Sequence, residues 1–487
     1  MGSAPNVPPL ALEVWHFAVA GLALLLSVLA SGHAVLNKRD SRAAIAWVGF
    51  VWLVPLVGAV LYFIFGVNRI RRQAAFLRAG LERYRAHAQA SESQDLDRHL
   101  PGQAAHLKLL ARVVGEVVSQ PLLAGNRIEP LLNGDEAYPA MLEAIRQAKA
   151  TLSFETYIFD RDEIGLAFAQ ALGEATRRGV EVRVLIDAAG TRYSWPTILH
   201  ALRRQHVRYA RFLPAFALWR LMAMNMRTHR KILVADGRLG FTGGMNIRVG
   251  HCLQRKPRSP VQDIHFKIEG PVVTQLQEVF ADDWLFTTGE TLRGGTWFPA
   301  PEPAGQVLAR GVTDGPDEDF EKLRWTLLGA LSIARDSVQI VTPYFLPDPA
   351  VVSALNLAAM RGVQVDIILP ARSNLPFIQW ASRAMWWQVL EHGCRLWLSP
   401  PPFDHSKLMI VDGCWVLLGS ANWDPRSLRL NFEYNLECYD LELARRLSEL
   451  VAAKRQSAHL VTLQEADGRP LPARLRDGLA RLLMPYL

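Results

Sequence analysis

Cysteine is scarce in this 487-residue chain: there are four, Cys252, Cys394, Cys414 and Cys438, and no C-x-x-C pair. That scatter supports neither a disulfide framework nor a zinc knuckle, and reduced, partly buried thiols are expected. Basic residues are missing from Met1 to Leu12, so the first apolar stretch lacks the positive leader of a secretory signal peptide. Charge of either sign is missing from two runs, 23 residues from Val14 to Leu36 and 25 from Ala43 to Val67, the second interrupted by Pro55. About 20 apolar residues cross a hydrocarbon core of roughly 30 Å, so two transmembrane helices are predicted within residues 1–70. Glu13 and His33 are expected near the interfaces.

What charge there is leans positive. The chain carries 54 Lys and Arg against 46 Asp and Glu, a net +8 that suits anionic lipid headgroups and nucleic acid equally. Two spans put the amino terminus and the rest of the chain on one side. Arg69, Arg71, Arg72 and Arg78 follow the second run, while Lys38, Arg39 and Arg42 stand against Asp40 in the loop, a bias leaning slightly towards a cytoplasmic main domain.

One pattern occurs twice, 176 positions apart. His229-Arg-Lys231 with Asp236, and His405-Ser-Lys407 with Asp412, both read HxKxxxxD inside strand-like apolar runs. Each is followed by a small-residue turn ending in Asn, Gly243-Gly244-Met-Asn246 and Gly419-Ser420-Ala-Asn422. Residues i and i+2 of a strand share a face, so each His projects beside its Lys. Lys and Asn donate to phosphate oxygens, and an imidazole can attack phosphorus or carry protons near neutral pH. Two copies supply one His to attack and one to protonate the leaving oxygen. Such a Lys/Asn clamp already neutralises charge as a metal would, and no magnesium-type cluster stands beside the motifs, so neither metal nor cofactor is expected.

The paired motif resembles the HKD signature of the phospholipase D superfamily. The resemblance extends to Val261-Gln-Asp263-Ile-His265 through Gly270-Pro271, to Phe280-Ala-Asp-Asp-Trp284, and to Asp424-Pro-Arg426-Ser427 and Asn431-Phe-Glu433, a combination similar to bacterial cardiolipin synthases. It implies a catalytic set of His229, Lys231, Asp236, His405, Lys407 and Asp412, with His229 as the nucleophile that becomes phosphohistidine and His405 as general acid and then base. Asn246, Asn422, Gly244 and Ser420 are implied around the phosphate. Asp263 and Glu433 are implied as the carboxylates that orient the imidazoles, which leaves Asp236 and Asp412 to hold turns. Arg426 and Ser427 are open between a lipid-phosphate contact and a loop tie.

The surroundings repeat too. Residues 148–187, with Tyr157 and Arg178-Gly179, are echoed by residues 334–369, with Tyr344 and Arg361-Gly362. Strands alternate with helical spans in both, the mark of α/β packing. The expected architecture is two homologous α/β sandwich halves with pseudo-two-fold symmetry, residues 120–290 and 305–487, because only that arrangement brings both histidines to one phosphate. A helical linker (71–119) precedes them, and a Gly/Pro-rich linker (291–304) joins them.

Two stretches mix cations with large apolar groups: Arg208 to Met224, with too many arginines to bury comfortably, is expected to touch lipid, while Leu375 to Trp387 is open between lipid contact and core. The resemblance implies a phosphatidyl transfer from phosphatidylglycerol to a second phosphatidylglycerol with release of glycerol, on the cytoplasmic side of a bacterial inner membrane. Phosphatidylethanolamine as acceptor, hydrolysis by water, and a metal-independent nuclease are the alternatives. An apolar, Trp-rich approach argues against nucleic acid as a partner.

Overall fold

The computed structural model describes residues 9–38, 41–66, 102–118, 120–213, 226–317 and 319–482. Most of the 208–224 segment expected to meet lipid lies outside them, as do Arg69, Arg71, Arg72 and Arg78. The chain forms two compact units, Met1–Gln73 and Ala74–Leu487.

In the first unit, a helix runs over Pro9–Asn37. Its Val14–Asn37 portion is the one described helix long and apolar enough to cross a membrane. Its leucines Leu22, Leu24, Leu25 and Leu29 face outward. The second predicted span is not one helix: it is Ser41–Leu53 followed by Pro55–Leu61 and a wider turn at Tyr62–Gly66. Proline 55 explains the break, since its ring forces Val54 out of helical geometry (φ −134°, ψ 75°). The pieces still pack on the first helix through Ala30, Ala34, Val51, Ala59 and Tyr62. Small residues allow that close approach, and a hydrogen bond of 2.8 Å joins His33 Nδ1 to the Tyr62 hydroxyl.

In the second unit, the chain enters β1 (Leu123–Leu132), β2 (Thr151–Thr156), β3 (Glu181–Asp187), β4 (Tyr209–Phe212), β5 (Arg227–Thr228), β6 (Ile232–Ala235), β7 (Leu239–Gly243), β8 (Val261–Gln262) and β9 (Ile264–Glu269). The same succession returns as β10 (Val307–Asp314), β11 (Ser337–Val341), β12 (Gln364–Pro370), β13 (Arg395–Ser399), β14 (Phe403–Asp404), β15 (Leu408–Val411), β16 (Trp415–Gly419) and β17 (Asn431–Tyr439), with β18 (His459–Val461) at the far edge. The sheet order is β4-β3-β2-β6-β7-β9-β1 in the first half and β13-β12-β11-β15-β16-β17-β10 in the second, so the halves share one topology. They join through antiparallel β1 and β10 into a single sheet.

Each half has its own outer core. Phe154, Phe168, Leu172 and Val184 lie in the first, and Leu327, Val338, Leu355 and Ile367 in the second. A third cluster, with Ile268, Leu276, Leu436 and Leu447, sits between them and is shared. The helix Leu107–Val117, expected as linker, buries its i, i+3, i+4, i+7 stripe (Leu107, Leu110, Ala111, Val114) in the second half's outer core.

Candidate active site

Both histidines sit where a short strand of one half crosses to the other half. β5 pairs with β17, and the His229 N–H donates to the Phe432 carbonyl at 2.9 Å. By the same symmetry β14 pairs with β8, and the His405 N–H donates to the Gln262 carbonyl at 2.8 Å. This crossing brings each imidazole a carboxylate from the opposite half. His229 Nδ1 lies 3.0 Å from Glu433 Oε2, and His405 Nδ1 lies 3.0 Å from Asp263 Oδ2. An ionised carboxylate only accepts, so the proton belongs on Nδ1 and the Nε2 lone pair of a neutral ring is left for chemistry.

Period 2 then sorts the motif. His229 and Lys231 share a face, while Arg230 points the other way, buried, with its guanidinium on Asp283 and on the Glu433 carbonyl. That accounts for the Asp-Asp-Trp signature as the counter-charge beneath the first motif. Lys231 Nζ donates to the His229 carbonyl, and Lys407 Nζ to that of His405. Lys407 Nζ also lies 2.8 Å from His405 Nδ1.

The electrostatics follow from packing four cationic or ionisable groups into a dry place. Burial brings Lys231 down to about 7 and Lys407 down to about 8, against the pull of Glu433 and Asp263. Burial also lowers His229. It holds His405 well below its ordinary range, with the charges of Lys407, Lys231 and His229 adding to it. The two motifs are therefore within electrostatic reach of each other. The carboxylates differ. Burial would raise Glu433, but His229, Lys231 and Ser420 keep it below its usual value, whereas burial does raise Asp263.

Beside the charges of His229 and Lys231, a pair of matching positions contributes to the difference. Ser420 Oγ donates to Glu433 Oε2 at 2.5 Å, and Asn431 Nδ2 to Oε1 at 3.2 Å. In the first half the equivalent of Ser420 is Gly244, where even a Cβ would lie 2.5 Å from the Asp263 carboxylate oxygens. Gly244 and Ser420, expected around the phosphate, thus serve the carboxylates. Asn246 accepts the Ile158 N–H on its Oδ1 (3.0 Å), which leaves its amide NH2 as a donor. Asn422 lies buried beside Lys407, lining the same small cleft.

Asp236 and Asp412, counted in the catalytic set, are correspondingly placed away from it, across β6 and β15 from the imidazoles. Each sits at positive φ (52° and 50°) ahead of a positive-φ glycine, in the tight hairpin turn that Asp-Gly favours. Asp236 accepts the backbone N–H groups of Lys149, Ala150 and Thr151. Asp412 accepts those of Arg335, Asp336 and Ser337, and His106 Nε2 approaches it at 2.6 Å. Ser427 donates its N–H to Asp424 in a turn, and the Arg426 carbonyl accepts from Leu430 and Asn431.

Four neighbours were given no site role from sequence. Tyr157 meets His229 edge-on at 5.3 Å, and Tyr344 meets His405 at 6.2 Å; their matching places in the repeat were the available signal. His251, wholly buried and lowered to about 3 by its burial, is a neutral imidazole near Asp263 and His405. Asn133, the first residue of the helix Asn133–Gln147, brackets Asp263: its Oδ1 accepts the Asp263 N–H at 3.1 Å, and its own N–H donates to the Asp263 carbonyl at 2.9 Å.

The sequence profile described as "Cardiolipin synthase, PLD-like domain" matches residues 141–284 and 327–454, the spans that hold the two motifs. The chain belongs to this cardiolipin synthase, phospholipase D-like family. A second profile, "Phospholipase_D-nuclease N-terminal", matches residues 25–66, and together with the apolar helix it marks membrane association. Among family relatives, Cardiolipin synthase A of Pseudomonas fluorescens (strain SBW25) is 32% identical over 95% of this chain and 96% of its own length. Cardiolipin synthase of Geobacillus kaustophilus (strain HTA426) is 30% identical over 93% of this chain and 90% of its own. The fold matches the crystal structure of phosphatidylserine synthase from Haemophilus influenzae Rd KW20, with a TM-score of 0.60 and 15% identity over 78% of this chain and 100% of that one.

Proposed function

We propose that this chain is a cardiolipin synthase that moves a phosphatidyl group from one phosphatidylglycerol to the primary hydroxyl of another. The observation that carries the reading is the crossed pairing of His229 with Glu433 and His405 with Asp263, each at 3.0 Å, above two buried lysines. His229 Nε2 attacks phosphorus, forming the P–N bond as the bond to the glycerol oxygen breaks. His405 gives its Nε2 proton to that oxygen, and glycerol leaves. The second lipid's hydroxyl then loses its proton to His405 and attacks phosphorus, and the P–N bond breaks to restore His229.

Without substrate, protonation of His405 is unfavourable because the ring is buried and because Lys407 and Lys231 repel its charge. A phosphodiester anion between the lysines reverses that balance, so the acid forms where substrate is bound. Lys231, Lys407, Asn246 and Asn422 hold the non-bridging oxygens, whose charge grows in the transition state.

The resemblance in the membrane segment supports a two-span anchor, the second span kinked at Pro55, with the catalytic unit on the cytoplasmic side. Membrane tethering favours a lipid acceptor over water because both lipids stay at high effective concentration. The test uses the full chain in phosphatidylglycerol vesicles with products separated by thin-layer chromatography. Cardiolipin and glycerol in equal amounts are expected. Phosphatidic acid as the main product would make the chain a hydrolase, and no lipid product at all would refute the reading. His229→Ala should form no denaturation-resistant lipid adduct.

A further inference from the structure

Two loops related by the pseudo-two-fold border the site, and both present apolar groups to the outside. After β3, Tyr193 lies 6.1 Å from the Tyr157 ring that edges His229, and two residues on Trp195 is 91% exposed. After β12, Asn374 accepts the hydroxyl of Tyr344, the ring that edges His405, at 2.8 Å. Exposed Leu375 follows and leads into the helix Pro376–Arg383.

That helix is backed by the helix Leu471–Leu482. Ala480 packs with Ala381 and Met385, the Arg476 guanidinium stands 4.6 Å from the Trp380 ring centre, and buried Asp477 takes both Arg469 and Arg476. The stretch expected to be either lipid-facing or core is thus divided: Ala381, Ser382, Met385 and Trp386 are buried, while Leu375, Pro376 and Trp387 are exposed. The opposite face of its partner is where apolar surface is left over. Leu471, Leu475, Leu479 and Leu482 are 66%, 58%, 64% and 72% exposed. At 3.6 residues per turn they fall within about 80° of arc, on the side away from Asp477 and Ala480. Exposed Arg474 and Arg481 run along one flank.

A leucine stripe edged with arginine, on a helix packed against the one that exposed Leu375 leads into, has the composition of an interfacial membrane helix. We propose that the helix Leu471–Leu482, with Leu375 and the Tyr193–Trp195 loop, seats the mouth of the site in the surface of an anionic phospholipid bilayer. The proposal rests on the phosphatidyltransferase reading for its purpose: a headgroup reaches His229 and His405 while its acyl chains stay in lipid. The arginines select anionic lipid, the same charge class as the substrate. A second copy of the chain would cover the leucines but would leave the arginines facing each other.

All four native cysteines are buried, so single introduced cysteines can carry a fluorescent label in the full chain. Leu475→Cys, Leu479→Cys and Trp195→Cys would be labelled with NBD in vesicles of phosphatidylglycerol and phosphatidylcholine. Lys149→Cys, exposed beside the Asp236 turn at the end of β6 away from His229, is the control. The rim labels should be quenched by acyl-chain doxyl lipid at least about threefold more than the control and shielded from aqueous iodide. Quenching of the rim by iodide and not by doxyl lipid overturns the proposal. So does shielding from both together with disulfide cross-linking of the unlabelled Leu475→Cys variant between copies. Leu475→Asp with Leu479→Asp should raise the KM for phosphatidylglycerol about tenfold and leave kcat within about threefold; an unchanged KM also overturns it. Because quenching needs no turnover, a chain that makes no cardiolipin but shows the lipid quenching pattern loses the functional reading and keeps the surface.

Discussion

Glu433→Gln is the sharpest perturbation of the proposed chemistry, because it removes one charge and almost no volume. The carboxylate sits 3.0 Å from His229 Nδ1 and faces the ring as it turns from neutral imidazole to phospho-imidazolium. Two unit charges at that distance in an effective dielectric of about 20 interact by about 5.5 kcal/mol. Roughly half the charge is present at the transition state, so about 2.7 kcal/mol of stabilisation is lost, or about 100-fold in rate. The amide adds a second penalty. It can donate to Nδ1 and move the ring proton to Nε2, the attacking atom, which costs about another tenfold. Formation of the phosphohistidine should therefore slow by about 10²- to 10³-fold. The assay is single-turnover trapping of labelled lipid on the protein under denaturing quench, with the melting temperature measured in parallel. A loss below about fivefold in a variant that melts within a few degrees of the parent would refute the assignment of Glu433 to His229, as would a loss confined to KM.

Asp263→Asn should leave adduct formation within about fivefold of the parent under a good leaving group and slow transfer to the acceptor by about 100-fold, read as a burst followed by a slow phase. Ser420→Gly removes a short hydrogen bond to an ionised carboxylate and should slow the first step about tenfold; an effect on the second step alone would reverse the assigned roles. Asp236→Ala strands three backbone N–H groups and puts alanine at φ 52°, which should cost about 3 kcal/mol of stability with activity per folded molecule within about threefold. Large loss of activity without loss of stability would return Asp236 to the chemistry. Lys231 near 7 and Lys407 near 8 both rise when an anion binds between them, so inorganic phosphate at pH 8 should take up roughly one proton, and its affinity should fall as pH climbs from 7 to 9. Titration calorimetry in two buffers of different ionisation heat measures that uptake, and zero uptake would exclude the lysine clamp. The same shifts set a sign for the empty protein: the unfolded chain holds those protons up to about 10, so the lysines' cost to stability is felt near neutral pH and relieved as pH rises towards 10.

Much of this was local information. The i, i+2 spacing of His and Lys, the Asp-Gly turns and the buried strand after each Arg-Gly follow from backbone geometry and were legible. So was the pairing of two halves, because the motif and its surroundings recur. The break at Val54 was half legible: Pro55 was visible, but an apolar run of 25 residues outweighed it in the reading. What sequence did not disclose is the partner across the interface. Nothing local tells whether Glu433 serves His405 in its own half or His229 in the other. That is decided by two short strands, β5 and β14, each pairing with the opposite half. The hydroxyl of Ser420 was assigned to phosphate for the same reason, since its real acceptor lies 13 residues on along a different strand. The stripe Leu107, Leu110, Ala111 and Val114 was present in the sequence but read as linker because its partner, the helix Lys322–Ile333, is more than 200 residues away.

The crossing also explains how a symmetric frame yields two different histidines. A duplicated half on its own would hold a histidine without its carboxylate, so the interface is part of the chemistry. Identical halves would then give identical imidazoles, and two-step transfer needs them to differ. The difference enters at Gly244 and Ser420, equivalent positions beneath the two carboxylates. His229 and Lys231 chiefly hold Glu433 ionised, and Ser420 and Asn431 add hydrogen bonds to it, which in the proposed chemistry suits His229 to attack and steadies the cation it becomes. Asp263 has no such hydroxyl. It lies under a bare glycine and is pushed up by burial, so in the proposed chemistry it would hold a charged His405 less strongly and ease proton transfer to the leaving oxygen and from the acceptor. Under the proposed mechanism, this one-sided set of hydrogen bonds is what would bias the two imidazoles towards attack and towards proton transfer.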